Sequence, residues 1–86
     1  MIIVSQEKDG IINFDNVITI RLSIDIETEK RTIIYIDTVG DEHFSIAKYK
    51  TEERAKEVLQ EIIDIYKFNR CEAVGQKNAI YRMPEG

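Results

Sequence analysis

The sequence lacks most of the residue types from which catalytic and metal sites are built. Its 86 residues contain one Cys, one His and no Trp. A single Cys excludes an internal disulfide and a Cys-based zinc site, and a single His excludes a His pair. The four glycines lie far apart, so no glycine-rich loop is available to hold a phosphate. The sequence therefore predicts neither an enzyme nor a cofactor site.

Long apolar runs and an excess of positive charge are also missing. The apolar runs fall far short of the ~20 residues that a membrane helix needs. Residues 1–7 lack the basic and long apolar stretches of a signal peptide. The net charge of −4 differs from that of a general nucleic-acid binder. We therefore expect a cytoplasmic protein that spans no membrane and does not bind nucleic acid directly.

Strict alternation of apolar and polar residues over positions 17–26 predicts a long β-strand. Period two places its aliphatic side chains on one face and its polar side chains on the other. Such a strand is typical of an antiparallel sheet with one buried face. The aliphatic residues concerned are Ile18, Ile20, Leu22, Ile24 and Ile26.

Turn signals separate this strand from its neighbours. Asp9-Gly10 and Gly40-Asp41 favour reversals because glycine accepts positive φ at little cost. In the strand after Gly40, Phe44 and Ile46 are expected to contact the core. The other strands are expected at residues 2–5, 11–14, 32–38, 43–49 and 78–83.

The second half of the chain changes to helical periodicity. Thr51 is a good N-cap, and the acidic residues that follow it suit the first turn of a helix. Apolar residues then recur at helical spacing, with Leu59 and Ile62 expected beneath the sheet. The helix should end near residues 68–69, before a polar loop over residues 69–77 that contains Cys71.

These elements predict a single α+β domain over residues 1–86. The expected fold is an antiparallel sheet of about four to six strands, with one C-terminal-half α-helix packed on one face and a short final strand. One helix covers only part of one face of such a sheet. The other face and at least one strand edge should therefore be free to meet a partner.

Three motifs carry a resemblance to a known group of proteins. They are Asn13-Phe14-Asp15-Asn16-Val17, the helix start from Tyr49 through Thr51, Glu53 and Ala55 to Val58-Leu59, and the end Tyr81-Arg82-Met83-Pro84. The chain resembles small uncharacterised proteins of Gram-positive bacteria, their phages and mobile elements. It departs from that group at Ala47, where glycine is commoner, and in a longer loop over residues 70–77. The resemblance implies a fold but no activity, and the order of elements is also weakly similar to pleckstrin-homology-like domains.

The return strand supplies the candidate interface. Ile34 and Ile36 share one face, so Ile33 and Tyr35 must point to the other. Tyr81 lies on the final strand and is also expected on a face that the helix does not cover. Exposed Tyr is favoured at interfaces. We therefore predict an interface that includes Ile33, Tyr35 and Tyr81, in a possible homodimer.

Charged residues suggest two weaker sites. Lys48 and Lys50 share a strand face near Arg54 and form a weak basic patch. The acidic residues Asp25, Glu27 and Asp37 are expected on a solvated hairpin surface. Cys71 and His43 lie on different elements, with no spacing that brings them together. The sequence therefore indicates no catalytic, cofactor-binding or metal-binding residue.

The leading hypothesis for function is a non-enzymatic protein–protein interaction module, an accessory protein of a phage or mobile element. One alternative is an acidic inhibitor that mimics nucleic acid and blocks a basic groove of a host protein. Another is a small pleckstrin-homology-like domain that binds a ligand through the basic patch. All three require a partner that the sequence does not identify.

Overall fold

The computed structural model describes residues 1–71 and 80–86, and the side chains of residues 1–67 and 80–86. The described elements confirm an α+β architecture with one helix and a short final strand. In chain order the elements are β1 (Ile2–Val4), β2 (Ile11–Asn13), a 3₁₀ turn (Phe14–Asn16), β3 (Val17–Asp25), β4 (Lys30–Thr38), β5 (His43–Lys48), α1 (Glu52–Cys71) and β6 (Ile80–Arg82).

The described strands form two sheets of three strands, so the expectation of one larger sheet is wrong. The strand orders are β2–β1–β6 and β3–β4–β5. β6 runs parallel to β1, and the other neighbours are antiparallel. The 3₁₀ turn separates the sheets, because the Asn13 side chain accepts a hydrogen bond from the Asp15 N–H at 3.0 Å and turns the chain away from β2.

Polar contacts of Gln6 join the two sheets. The Gln6 N–H donates to the Ile46 carbonyl at 2.9 Å, and its side-chain oxygen accepts from the Lys48 N–H at 2.8 Å. Its amide nitrogen donates to the Pro84 carbonyl at 3.1 Å, and the Tyr49 hydroxyl donates to the same carbonyl at 2.8 Å. The residues after β6 are thus attached to the end of β5.

The α1 helix begins as predicted. The Thr51 hydroxyl accepts a hydrogen bond from the Arg54 N–H at 3.1 Å, which is the geometry of an N-cap. The helix continues to Cys71, past its predicted end near residues 68–69. Residues 72–77 of the predicted loop, and residues 78–79 of the predicted last strand, lie outside the described residues.

The helix packs mainly on β4 and then on β3. Its buried stripe is Ala55, Val58 and Ile62, while Leu59 is only half-buried on the flank of that stripe. Leu59, which was expected beneath the sheet, is therefore covered only in part. Opposite the helix, the strand side chains that are most completely buried include Ile34 and Ile36, as their alternation predicts. Ile3 and Thr32 are also almost fully buried.

The turns occur close to the predicted positions, but they do not use glycine for the left-handed residue. Lys8, Glu29 and Asp41 have positive φ angles of 61°, 60° and 64°. Each belongs to a polar reversal between strands, where a side chain directed to solvent tolerates this conformation.

Candidate interaction surfaces

β3 does not bury all five of its predicted aliphatic residues. Ile20 and Leu22 pack against the core, whereas Ile18 and Ile24 are exposed and Ile26, in the turn that follows, is 90% exposed. Two register shifts in the β3–β4 pairing accompany this difference in burial. At the first shift Ile18 is an extra residue in β3. At the second, opposite the end of β3, Thr32 is an extra residue in β4.

The backbone of β3 has a free edge along its outer side. Directly after β4, the Val39 N–H donates to the Asn16 carbonyl, toward β3, whereas the N–H of Thr38, the last residue of β4, donates to the Glu42 carbonyl, toward β5. Odd-numbered residues of this part of β4 therefore face β3, where they pair with the odd-numbered residues 19, 21 and 23. The backbone groups of Ile20, Leu22 and Ile24 must then point away from β4.

No described strand pairs with that side of β3. We call this feature the β3 edge and define it by Ile18, Ile20, Leu22, Ile24 and Ile26. A free strand edge was expected from the sequence, but the strand that provides it was not identified. The signal available was Ile26, an aliphatic residue placed directly before a polar turn.

Ile33 and Tyr35 lie together on the face of β4 that points away from the helix, as predicted. Both are half-buried rather than fully exposed. The guanidinium carbon of Arg21 lies 4.8 Å from the centre of the Tyr35 ring, a cation–π contact. Arg21 thus covers part of the surface that was assigned to a second chain. Whether Ile33 and Tyr35 form an interface stays a prediction.

Asp37 organises the polar end of the same face. Its carboxylate accepts a hydrogen bond from the Thr19 hydroxyl, and it lies 2.6 Å from His43 Nδ1 and 3.3 Å from Arg21 Nε. These contacts, that of Thr19 foremost, lower the pKa of Asp37 to about 2. Asp37 in turn raises the pKa of His43, whose Nε2 lies 3.4 Å from Asp41 Oδ1. His43 therefore has a carboxylate beside each ring nitrogen and is not arranged as a free general base.

The three predicted basic residues line one groove. Lys48, Lys50 and Arg54 surround an open space of about 950 Å³ between the end of β5 and the start of α1. Two of the three are held by contacts within the chain. Lys48 Nζ lies 2.9 Å from Asp25 Oδ2, and Arg54 Nε donates to the Gly86 carbonyl at 3.0 Å. Among the described residues, only Lys50 of the three has no ion pair or hydrogen bond to its side chain.

Asp25 contradicts the expectation of a solvated acidic hairpin. Asp25 is buried, and its Oδ1 accepts a hydrogen bond from the Glu27 N–H at 3.0 Å. Lys48, followed by that backbone bond, lowers the pKa of Asp25. Asp37 is likewise held by its neighbours and half-buried, so of these three acidic residues Glu27 alone is exposed. The physical reason is the extra residue in β4, which directs Asp25 beneath Lys48 instead of outward.

Tyr81 is buried, which corrects the expectation that it is exposed. It pairs with Ile3 across the parallel β1–β6 ladder, and both side chains point into the core. Burial, followed by the nearby Glu61 carboxylate, raises the pKa of Tyr81. Tyr81 therefore lies on a different sheet from Ile33 and Tyr35 and does not join them on one surface.

A second groove lies where the two sheets meet. Ile11 and Val39 are 75% and 66% exposed, and with Phe44 they line a space of about 460 Å³. The expectation that Phe44 contacts the core is wrong, because α1 packs mainly on β4 and β3 and leaves Phe44 of β5 at the rim. Sequence reasoning missed this groove, although an aliphatic residue beside the Gly40 turn was a usable signal.

Neither the fold nor these surfaces are assigned by comparison, because no protein-family model, curated protein or solved structure matches the chain. Within residues 1–71 and 80–86, no three His, Cys, Asp or Glu side chains are grouped as metal ligands. The one described helix, α1, is not apolar enough to cross a membrane.

Proposed function

We propose that this chain is a non-enzymatic protein–protein interaction module that binds another polypeptide through the β3 edge. The observation that carries the proposal is the coincidence of a free strand edge with exposed aliphatic side chains. Ile24 and Ile26 are 58% and 90% exposed at one end of β3, and Ile18 is exposed at the other. A strand edge presents unpaired N–H and C=O groups that a partner strand can satisfy.

Two further features support binding rather than catalysis. Both ring nitrogens of His43 face carboxylates, at 2.6 and 3.4 Å, which leaves this side chain without a free nitrogen for acid–base chemistry. Burying the exposed aliphatic side chains of the β3 edge against a partner would release free energy, because apolar surface is removed from water, as it is at the centre of a protein interface.

A role as an accessory protein of a phage or mobile element is part of the proposal and rests on the sequence motifs alone. The acidic-mimic alternative loses support, because Asp25 and Asp37 are held by Lys48 and by Thr19 and His43. A mimic of nucleic acid needs carboxylates that project freely toward a basic groove.

A photo-crosslinking amino acid tests the proposed function in cells of the source organism. Placed at position 24, it should form an adduct with a polypeptide. Placed at the exposed position 60 on the solvent side of α1, it should not. Equal adducts at both positions, or none at position 24, would contradict the proposal. Both variants must retain the far-ultraviolet circular dichroism of the parent.

The groove of Lys48, Lys50 and Arg54 carries a second candidate function, the binding of a small anionic ligand. The observation in its favour is that the three residues line one space beside the Tyr49 ring. Inorganic phosphate, titrated while amide chemical shifts are recorded, should move residues 48–54 in the parent and not in Lys50→Ala. Unchanged shifts in the parent up to millimolar phosphate would remove this candidate.

A further inference from the structure

The outward backbone groups and aliphatic side chains of the β3 edge are suited to pairing with the same edge of a second copy of the chain. Its outward backbone groups belong to Ile20, Leu22 and Ile24, so an antiparallel partner strand must pair with these residues. In a symmetric dimer the same surface is used by both copies, and residue i opposes residue j while j opposes i. The possible symmetric registers are therefore few, and side-chain chemistry can distinguish between them.

Centring the two-fold axis on Leu22 gives a favourable set of pairs. Leu22 then faces Leu22 of the second copy, and Ile20 faces Ile24 of that copy. On the other face of the strand, Arg21 lies opposite Ser23 of the second copy. Centring the axis on Arg21 would instead place two guanidinium groups directly opposite each other, which is destabilising.

Contacts within one chain hold the charged side chain of Arg21 away from this edge. Arg21 is drawn back over its own sheet by Asp37 and the Tyr35 ring, at 3.3 and 4.8 Å. The charge that commonly blocks an edge strand is thereby directed away from it. Residues 19–23 also pair regularly with β4, and the register shift that follows inserts its extra residue in β4, so β3 continues without an insertion to Ile24.

We infer that the chain forms a symmetric homodimer in which the β3 edges of two copies pair antiparallel about Leu22 and join their sheets into one of six strands. This inference rests on the proposed function and identifies its partner as a second copy. The exposed Ile24 of each copy becomes covered by Ile20 of the other, which explains an aliphatic residue at an otherwise solvated hairpin end. The α1 helices of both copies then lie on the same face of the joined sheet.

Sedimentation equilibrium of the purified full chain is the first test. The expected mass is twice the 10.0 kDa of one chain at micromolar concentration. Ile24→Lys places a charge against Ile20 of the second copy and should weaken association about tenfold or more. The matched control is Val39→Lys, which changes an equally exposed aliphatic residue away from the edge and should leave the dimer intact. A monomeric parent, or equal weakening by both variants, would overturn the inference.

Disulfide trapping tests the register. In a Cys71→Ser background, Leu22→Cys places two thiols on the two-fold axis with Cα atoms about 5.5 Å apart, within bonding range. The control Ile20→Cys changes a half-buried aliphatic residue of the same strand face, but its two copies would lie about 14 Å apart. Oxidation should trap a dimer only in the first variant. A dimer trapped equally through Ile20→Cys would overturn the register.

These results separate the inference from the function on which it rests. A monomeric chain that still gives a crosslinked partner of different mass at position 24 would overturn the homodimer and leave the interaction module standing. A dimer that survives Ile24→Lys but is lost in Tyr35→Lys would transfer the interface to the face of Ile33 and Tyr35. That outcome would overturn the assignment to the β3 edge.

Discussion

Replacing Ile62 with alanine should remove a large part of the stability of the fold. Ile62 is 1% exposed, where α1 packs against β4 and β3. The substitution removes three carbon atoms, and each buried methylene contributes about 0.8 kcal/mol. The resulting cavity adds to that transfer loss, so the expected decrease in the free energy of unfolding is about 3 kcal/mol. A chain of 86 residues has roughly 4–13 kcal/mol in total.

Leu59→Ala is the matched control for this prediction. It also removes three carbon atoms, one helical turn away, but from a side chain that is only half-buried. We expect a loss of about 1 kcal/mol, in proportion to the smaller apolar area covered. Alanine has a higher helix propensity than either residue, which offsets both losses by a few tenths of a kcal/mol.

Urea unfolding followed by circular dichroism measures both changes. All proteins should be compared at one concentration, because dimerisation would make the apparent stability depend on concentration. The dependence of the free energy on urea should be unchanged, so that the midpoints report stability alone. If Ile62→Ala costs no more than Leu59→Ala, the helix does not bury the face that the structure assigns to it.

Four smaller perturbations test local features. Thr51→Ala should cost about 1 kcal/mol by removing the helix N-cap, whereas Thr51→Ser should restore most of it in the same unfolding assay. Tyr49→Phe should cost about 1 kcal/mol, because the hydroxyl that donates to Pro84 is lost, and it should abolish the tyrosine titration whose pKa is raised to about 12 by burial. Asp37 has a lowered pKa, so its contribution is complete above the ordinary value of 3.8 and is lost as pH falls through about 2; Asp37→Asn should flatten acid unfolding in that range. His43 has a raised pKa, so its ion pairs stabilise the fold below pH 6.5 and are lost as pH rises through the raised value; His43→Gln should remove that loss.

Local patterns predicted the elements of this fold well where the signal was periodic. The N-cap at Thr51 and the burial of Ile34 and Ile36 follow from residue type and spacing alone. The pairing of the strands did not follow. β6 joins β1 in parallel from the far end of the chain, and no local pattern encodes a contact between residues so distant in sequence.

The candidate sites were predicted only in part for a related reason. Lys48 and Lys50 share a face by alternation, and α1 begins directly after them, so Arg54 joins them in one groove as expected. The ion pair of Lys48 with Asp25 was not foreseeable, because it depends on an extra residue in a neighbouring strand. Tyr81 was placed at a surface because all strands were expected in one sheet, whereas its strand belongs to a separate sheet beside β1.

The extra residue at Thr32 affects both the charge of the basic groove and the exposure of aliphatic residues on the β3 edge. Ile24 stays on the strand face of Ile20 and Leu22, but the extra residue places it opposite exposed Arg31 instead of buried Thr32, and Ile24 is itself exposed. The next residue, Asp25, is buried beneath Lys48 and offsets the charge of the groove. A bulge changes the direction of side chains at a cost in regular pairing, and it commonly occurs beside functional sites. Here it weakens the groove as an anion site and leaves an aliphatic residue on a free edge, which is why the β3 edge, rather than the basic patch, is the stronger candidate for function.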